Sequence, residues 1–255
     1  MAGIFTDFDA WATALLIGFA MALAWEVGRW QGQRLRSARR EVPESKFHGA
    51  SLAVLGLLLG FTFSIAIVKH DQRRAMVVAD ANAIGDFYTC ASLLNEPVRS
   101  QLQNVIREYA TLRVELSQSG FDEAELQRAL ARMQQMQGAM TSLVGQALHQ
   151  GTPIAVSLTN TLNGLTSNHA ARLAAVRDRL PAIIVALLLL SAMIASLLVG
   201  HEQGAREESD LVGTACFIIM VTFAIYVILD LNQPGGGLIR VDQEPMQRLL
   251  ISMTK

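Results

Sequence analysis

Asp80, Asn82 and Asp86 in the stretch ADANAIGD are the first residues whose types and spacing could hold a charge. Asn82 and Asp86 are one helical turn apart and share a face. Two such side chains do not complete a metal site, and their small neighbours favour a buried hydrogen-bond network between helices, with Arg107 or Tyr109 as partners. A second charged set, KHDQRR, begins at Lys69. At the mouth of a pore, Lys69, Arg73 and Arg74 would concentrate anions while Asp71 fixed their side chains. The same residues also mark a membrane interface and pair along a helix, and that structural role is the favoured reading. Glu26 ends an apolar run, where it reaches the surface or pairs with Arg29 one turn on rather than serving an ion path.

Catalytic patterns do not emerge. His48, His70, His149, His169 and His201 show no HxxxH, HxH or HExxH spacing, and no Ser or Thr has a base at a recognisable motif spacing. The glycines Gly235 to Gly237 follow Pro234 and form a turn rather than a phosphate loop. Cys90 and Cys216 lie far apart and outside any CxxC pair, so neither a disulfide framework nor a thiolate metal site is indicated. No cofactor or metal is expected, and an enzyme is not the reading these residues support. The formal net charge of −1 gives no reason to expect a nucleic-acid partner.

The elements that position these residues are membrane helices. The chain of 255 residues is 51% hydrophobic and only 17% charged, against about a quarter charged in ordinary soluble domains. Residues Gly49 to Val68 carry no charge over a length of about 30 Å as a helix, the thickness of a bilayer core. Gly49, Ala53, Gly56, Gly60 and Ser64 form a narrow stripe of small residues that suits close helix packing. Val54, Leu57, Phe61, Ile65 and Val68 form a bulkier stripe about a quarter-turn round, suited to lipid or to the wall of a narrow pore. Residues 11–28 make the first span, with Trp11, Trp25 and Trp30 as interfacial anchors. Pro181 to Gly200 and Leu211 to Leu229 make the third and fourth. Asp7 and Asp9 precede the first run where a cleavable signal carries positive charge, so the N-terminus is expected to be retained.

The predicted fold is thus all-α, with four spans. A first membrane hairpin occupies 8–68, an extramembrane helical domain 69–180, a second hairpin 181–231 and a tail 232–255. In the middle domain, apolar residues follow helical spacing on three faces. One runs from Val98 to Leu116 and another from Leu126 to Ala147. The third carries Leu158, Leu162, Leu165, His169, Val176 and Leu180. Breaks fall at Asn95 to Pro97, around Gly120, and at Gly151 to Pro153, with Thr152 as N-cap of the third helix.

Two passages resemble a bacterial membrane-protein family called bestrophin-like. In Leu57 to Arg113 the matching positions are Asp71, Arg73, Arg74, Asp80, Ala81, Asn82, Ala83, Ile84, Gly85, Leu93, Leu94, Pro97, Arg107 and Tyr109. Asp80 stands where that family usually has Glu. The tail ILDLNQPGGGLIRVDQEPM resembles the Asp-Leu-x-x-Pro-x-x-Gly-x-Ile stop after its last span. The resemblance implies a distant likeness to bestrophin channels, pentamers whose second span lines an anion or cation pore. It carries Phe61 to the neck of that pore, with Leu57 where the channels often have a second Phe. The acidic calcium clasp of animal bestrophins has no counterpart in Asp242 to Pro245, so calcium gating is not implied. Those channels keep the middle domain and both termini in the cytoplasm. Here the basic connector from Arg29 to His48 favours the opposite orientation under the positive-inside rule.

The leading expectation is a homo-oligomeric ion channel of a bacterial inner membrane, with lipid and inorganic ions as partners. Leu57, Phe61 and Ile65 would form a constriction on a shared axis. A non-conducting scaffold or sensor, whose helical domain binds a protein partner, is the competing reading.

Overall fold

The computed structural model describes residues 10–37, 47–118, 123–206, 210–233 and 237–254. Arg39, Arg40 and Lys46 of the basic connector, Asp7 and Asp9, the break at Gly120, and Pro234 with Gly235 and Gly236 lie outside them. Among the described residues the chain is all-helical. The helices are α1 (Ala10–Ser37), α2 (Phe47–Ser92), α3 (Val98–Gln118), α4 (Glu123–His149), α5 (Ala155–Arg177), α6 (Ala182–Arg206), α7 (Leu211–Asn232) and α8 (Glu244–Met253). The four expected apolar runs fall in α1, α2, α6 and α7, each long and apolar enough to cross a membrane. Contacts divide the chain into two compact units, Met1–Lys69 with Arg179–Ile239 and His70–Asp178 with Arg240–Lys255.

In the first unit, Ile17 and Met21 of α1 pack with Leu55 and Ala66 of α2, Leu188 and Ala192 of α6, and Val221 and Ile225 of α7. Lipid is as apolar as these side chains, so packing must come from close fit rather than from water exclusion. Glycine supplies that fit between α1 and α6. A Cβ at Gly28 would stand 2.0 Å from the Leu197 carbonyl oxygen, and one at Gly32 would stand 2.3 Å from that of His201. Reciprocally, a Cβ at Gly200 would meet the Trp25 oxygen at 2.0 Å, and one at Gly204 the Arg29 oxygen at 2.1 Å. Positions rise together along both helices, so α1 and α6 run parallel with their backbones in contact. At the same end Trp25 Nε1 donates to Gln203 Oε1 at 3.0 Å, and Gln203 Nε2 donates to Thr214 Oγ1 at 2.8 Å. Glu26 pairs with Arg29 one turn on, at 4.0 Å.

The end of α7 explains the tail motif. Asp230 is buried, and its carboxylate accepts the backbone N–H groups of Leu238 at 3.0 Å and Ile239 at 2.9 Å. Gly237 has φ +96°, and a Cβ there would lie 2.2 Å from Asp230 Oδ1. Only glycine adopts that backbone and leaves room for the carboxylate. Asn232 Oδ1 accepts the Leu180 N–H at 2.7 Å, tying the start of α6 to the end of α7.

The second unit is a helical bundle built on the expected faces. Ile84 and Phe87 of α2, Leu102, Ile106 and Tyr109 of α3, Met133 and Met140 of α4, and Leu158 and Leu165 of α5 form one core. The third face stops short. Val176 is 40% exposed, and Leu180 belongs to the membrane core, because α5 ends at Arg177. Leu126 on the second face is also exposed. The N-cap of α5 is Ile154 without a side-chain bond, not Thr152. Thr152 instead donates its N–H to Ala147 O, and Gly151, at φ +76°, donates to Leu148 O. That pair of bonds is a Schellman stop for α4, which consumes Thr152 before the next helix begins. The tail adds α8, whose Met246 and Met253 are buried in the bundle core.

Candidate functional site

Within the membrane unit, α2 turns one face inward. Leu55, Thr62 and Ala66 are buried. Thr62 Oγ1 donates to Leu58 O at 2.7 Å, so the buried hydroxyl is satisfied within its own helix. The bulky stripe stays outside: Leu57 is 58% exposed and Phe61 61%, with Ile65, Val54 and Val68 also exposed. Ala53 and Ser64 are exposed too, and no heavy atom lies within 4 Å of a Cβ built at Gly49, Gly56 or Gly60. Among the described residues, the small stripe therefore does not receive another helix of the same chain. The close approach it was expected to provide occurs between α1 and α6, because the inward face of α2 is the one carrying Leu55, Thr62 and Ala66.

The charged set beyond this stretch divides. Asp71 and Arg74 are exposed and Lys69 is half-buried. Arg73 is buried and donates through Nε to Ala175 O at 3.3 Å and through Nη2 to Asp178 O at 3.1 Å. A guanidinium on the last carbonyls of α5 meets the negative end of that helix. Arg73 is thus engaged in holding α5 rather than facing an open mouth.

The polar group with the most buried charge lies inside the bundle. Asp80 is fully buried, and its Oδ2 accepts from Arg113 Nη2 at 2.6 Å and from Arg172 Nη1 at 2.8 Å. Arg172 Nη2 also donates to Gln243 Oε1 at 2.9 Å, just ahead of α8. Tyr109 lies under Arg113, whose guanidinium carbon sits 5.7 Å from the ring centroid. Gln137 Nε2 donates to the Tyr109 hydroxyl at 3.3 Å, and that hydroxyl lies 3.2 Å from His169 Nδ1. Burial, followed by the Asp80 carboxylate, raises the Tyr109 phenol despite Arg113. Burial foremost, then the Arg113 charge, lowers His169 to about 4.

A histidine neutral in the fold and titrating lower than in the unfolded chain makes the unfolded state bind more protons between the two values. Stability is then complete above the unfolded value, near 6.5, and is lost as pH falls toward 4. Acidification from pH 7 to 4.5 is expected to cost about 1–2 kcal/mol through this partly solvated group. His169→Gln should flatten that part of the pH profile, as read by thermal unfolding of the purified protein at each pH.

The expected network was drawn with different partners. Asp80 belongs to it and Tyr109 lies beside it, but Asn82 and Asp86 are exposed. They stand on the opposite side of α2 from Ala81, Ile84 and Phe87, which the core takes up. With Gly85, Glu244, Arg248 and Ser252, they line an open groove of about 610 Å³ between α2 and α8. Arg107 leaves the Asp80 group as well. It donates to Tyr88 Oη at 2.8 Å, to Asn104 Oδ1 at 2.9 Å and to Met253 O at 3.1 Å, holding the last turn of α8. Arg113 and Arg172 were missed. A signal existed, since a carboxylate among small residues on a packed helix requires basic partners, and both arginines adjoin residues of the predicted core faces. Among the described residues no group of His, Cys, Asp and Glu could hold a metal ion.

Comparison with known proteins places this architecture. Residues 14–246 match the bestrophin-like domain family. None of the curated proteins matches the sequence. Among solved structures, a tyrosine-to-alanine variant of a bacterial bestrophin homologue from Klebsiella pneumoniae superposes with a TM-score of 0.68 at 12% identity, covering 95% of this chain and 99% of that one. A tryptophan-to-alanine variant of the Klebsiella homologue gives 0.69 at 11% identity, over 95% and 97%. A third structure, described only as a membrane protein, gives 0.64 at 14% identity, over 93% and 98%. At such identities the likeness carries the fold, while the family match spans most of the sequence. The chain belongs to the bestrophin-like family of membrane proteins.

Proposed function

We propose that the chain forms a homo-oligomeric ion channel in a bacterial inner membrane, in which α2 lines the pathway. The supporting observation is the exposure of its bulky stripe: a protomer that buries Leu55, Thr62 and Ala66 leaves Leu57, Phe61 and Ile65 exposed, where they would face an axis shared with other copies. Such side chains narrow and dry a pore. Gly49, Ala53, Gly56, Gly60 and Ser64, which no described helix of this chain covers, would let the neighbouring copy approach. Lys69, Asp71 and Arg74 would sit at the mouth. The Klebsiella structures are those of a bestrophin homologue, and a pentamer is the assembly that the resemblance to bestrophin channels implies. The helical domain and tail would stand outside the bilayer.

The test is ion flux into liposomes containing the purified oligomer. Phe61→Ala should raise flux several-fold by widening the neck while leaving the oligomer intact. Absence of flux from intact oligomers across voltage and pH, or an unchanged rate in Phe61→Ala, would remove α2 from this role and favour a scaffold.

A further inference from the structure

α2 begins at Phe47, so His48 stands in its first turn. His48 Nδ1 lies 3.4 Å from Glu202 Oε2 near the end of α6, and the other oxygen of that carboxylate is held by Arg206 Nη2 at 2.9 Å. The two side chains are only 26% and 25% exposed. His48 Nδ1 itself is buried and makes no hydrogen bond among the described residues. The backbone there is tied independently, since Ser51 Oγ donates to His48 O at 2.9 Å. Among the described residues, Glu202 lies at this imidazole and Arg206 holds the same carboxylate. On α1, Glu26 and Arg29 pair with each other, and on α7, Asp210 is committed to the helix N-terminus through Gly213 N at 2.8 Å.

The chemistry of that contact depends on one proton. With Nδ1 unprotonated, its lone pair faces a carboxylate oxygen and repels it. With Nδ1 protonated, the same geometry becomes a charge-assisted hydrogen bond. Histidine is the side chain that ordinarily changes charge between pH 5 and 8.

We propose that His48 and Glu202 form a proton-operated clasp, in which the doubly protonated imidazolium of His48 fastens the first turn of α2 to the end of α6 and loss of its Nδ1 proton releases it. The proton is the ligand. The clasp is present while Nδ1 carries its proton and is lost when that proton leaves. It acts on the helix whose apolar face is exposed in the membrane unit, and it does not depend on whether that helix conducts.

Amide hydrogen exchange of the full-length purified protein in micelles tests this without any flux measurement. After correction for intrinsic rates, residues 51–57 should be roughly tenfold more protected at pH 5.5 than at pH 8, as expected for one hydrogen bond between charged groups. Glu202→Gln and His48→Gln should abolish that difference. His48→Lys, charged at both pH values, should keep the segment protected throughout, which a merely space-filling role would not produce. A pH difference that survives in Glu202→Gln, or its absence from the unmodified protein, would overturn the clasp.

Discussion

Gly28→Ala is expected to lower the apparent unfolding temperature of the purified protein by about 10 °C, and adding Gly200→Ala should eliminate a monodisperse folded species. The added methyl at Gly28 would stand 2.0 Å from a backbone oxygen, 2.9 Å from His201 N and 2.9 Å from Leu197 C. No rotamer change relieves a clash with backbone, so α1 and α6 must separate along the seam. Overpacking typically costs about 1–3 kcal/mol and more where backbone has to move, and each kcal/mol shifts a chain of this size by about 2–4 °C. Gly60→Ala supplies the contrast. Its methyl meets nothing within 4 Å, and alanine is the better helix former by about 1 kcal/mol. The protomer should therefore tolerate it. If Gly60 lies against a neighbouring copy, size-exclusion chromatography with light scattering will show loss of the oligomer without loss of folded protomer. Equal destabilisation by the two substitutions would contradict the difference between these two glycine faces.

The glycine seam also marks where sequence reasoning ran out. The four apolar runs and the bundle faces were legible because each repeats one physical requirement many times over. Twenty uncharged residues from Gly49 to Val68 and an apolar residue at every turn of α3 leave few alternatives. Gly28 and Gly32 are different. They sit among polar residues at the end of a span, and their meaning depends on Gly200 and Gly204, far along the chain. Nothing local says which helix faces which. The small stripe of α2 is the more visible packing signal because it lies in a long uncharged run, yet among the described residues no other helix packs against its glycines.

The buried polar group was half legible for a similar reason. Small residues around Asp80 implied burial, and burial implied a partner. The sequence offers Arg107 and Tyr109 of α3 as partners. The structure selects Arg113 and Arg172, 33 and 92 residues away. Asp230 reads in the sequence as part of a family stop, and the fold supplies its physical reason, since it accepts two backbone N–H groups that no helix satisfies.

Asp80→Ala should be the most damaging single change in the bundle, costing about 3–5 kcal/mol. The carboxylate is fully buried and both arginines donate to the same oxygen. Its removal leaves two guanidinium groups facing each other without compensation, a larger electrostatic loss than removal of either arginine alone. Arg113→Ala should come second, since Arg113 is itself buried and also covers the Tyr109 ring. Arg172→Ala should cost least, because Arg113 continues to satisfy Asp80. It should additionally loosen the segment before α8, where Gln243 loses its donor, and this should appear as faster amide exchange around residues 243–247. The ranking can be read from thermal unfolding of the three variants. Raising salt should leave it nearly unchanged, because charges removed from solvent are poorly screened. Equal losses in all three variants, or a ranking that collapses at high salt, would mean that Asp80 acts as one ordinary hydrogen-bond acceptor rather than as a counter-charge shared by two arginines.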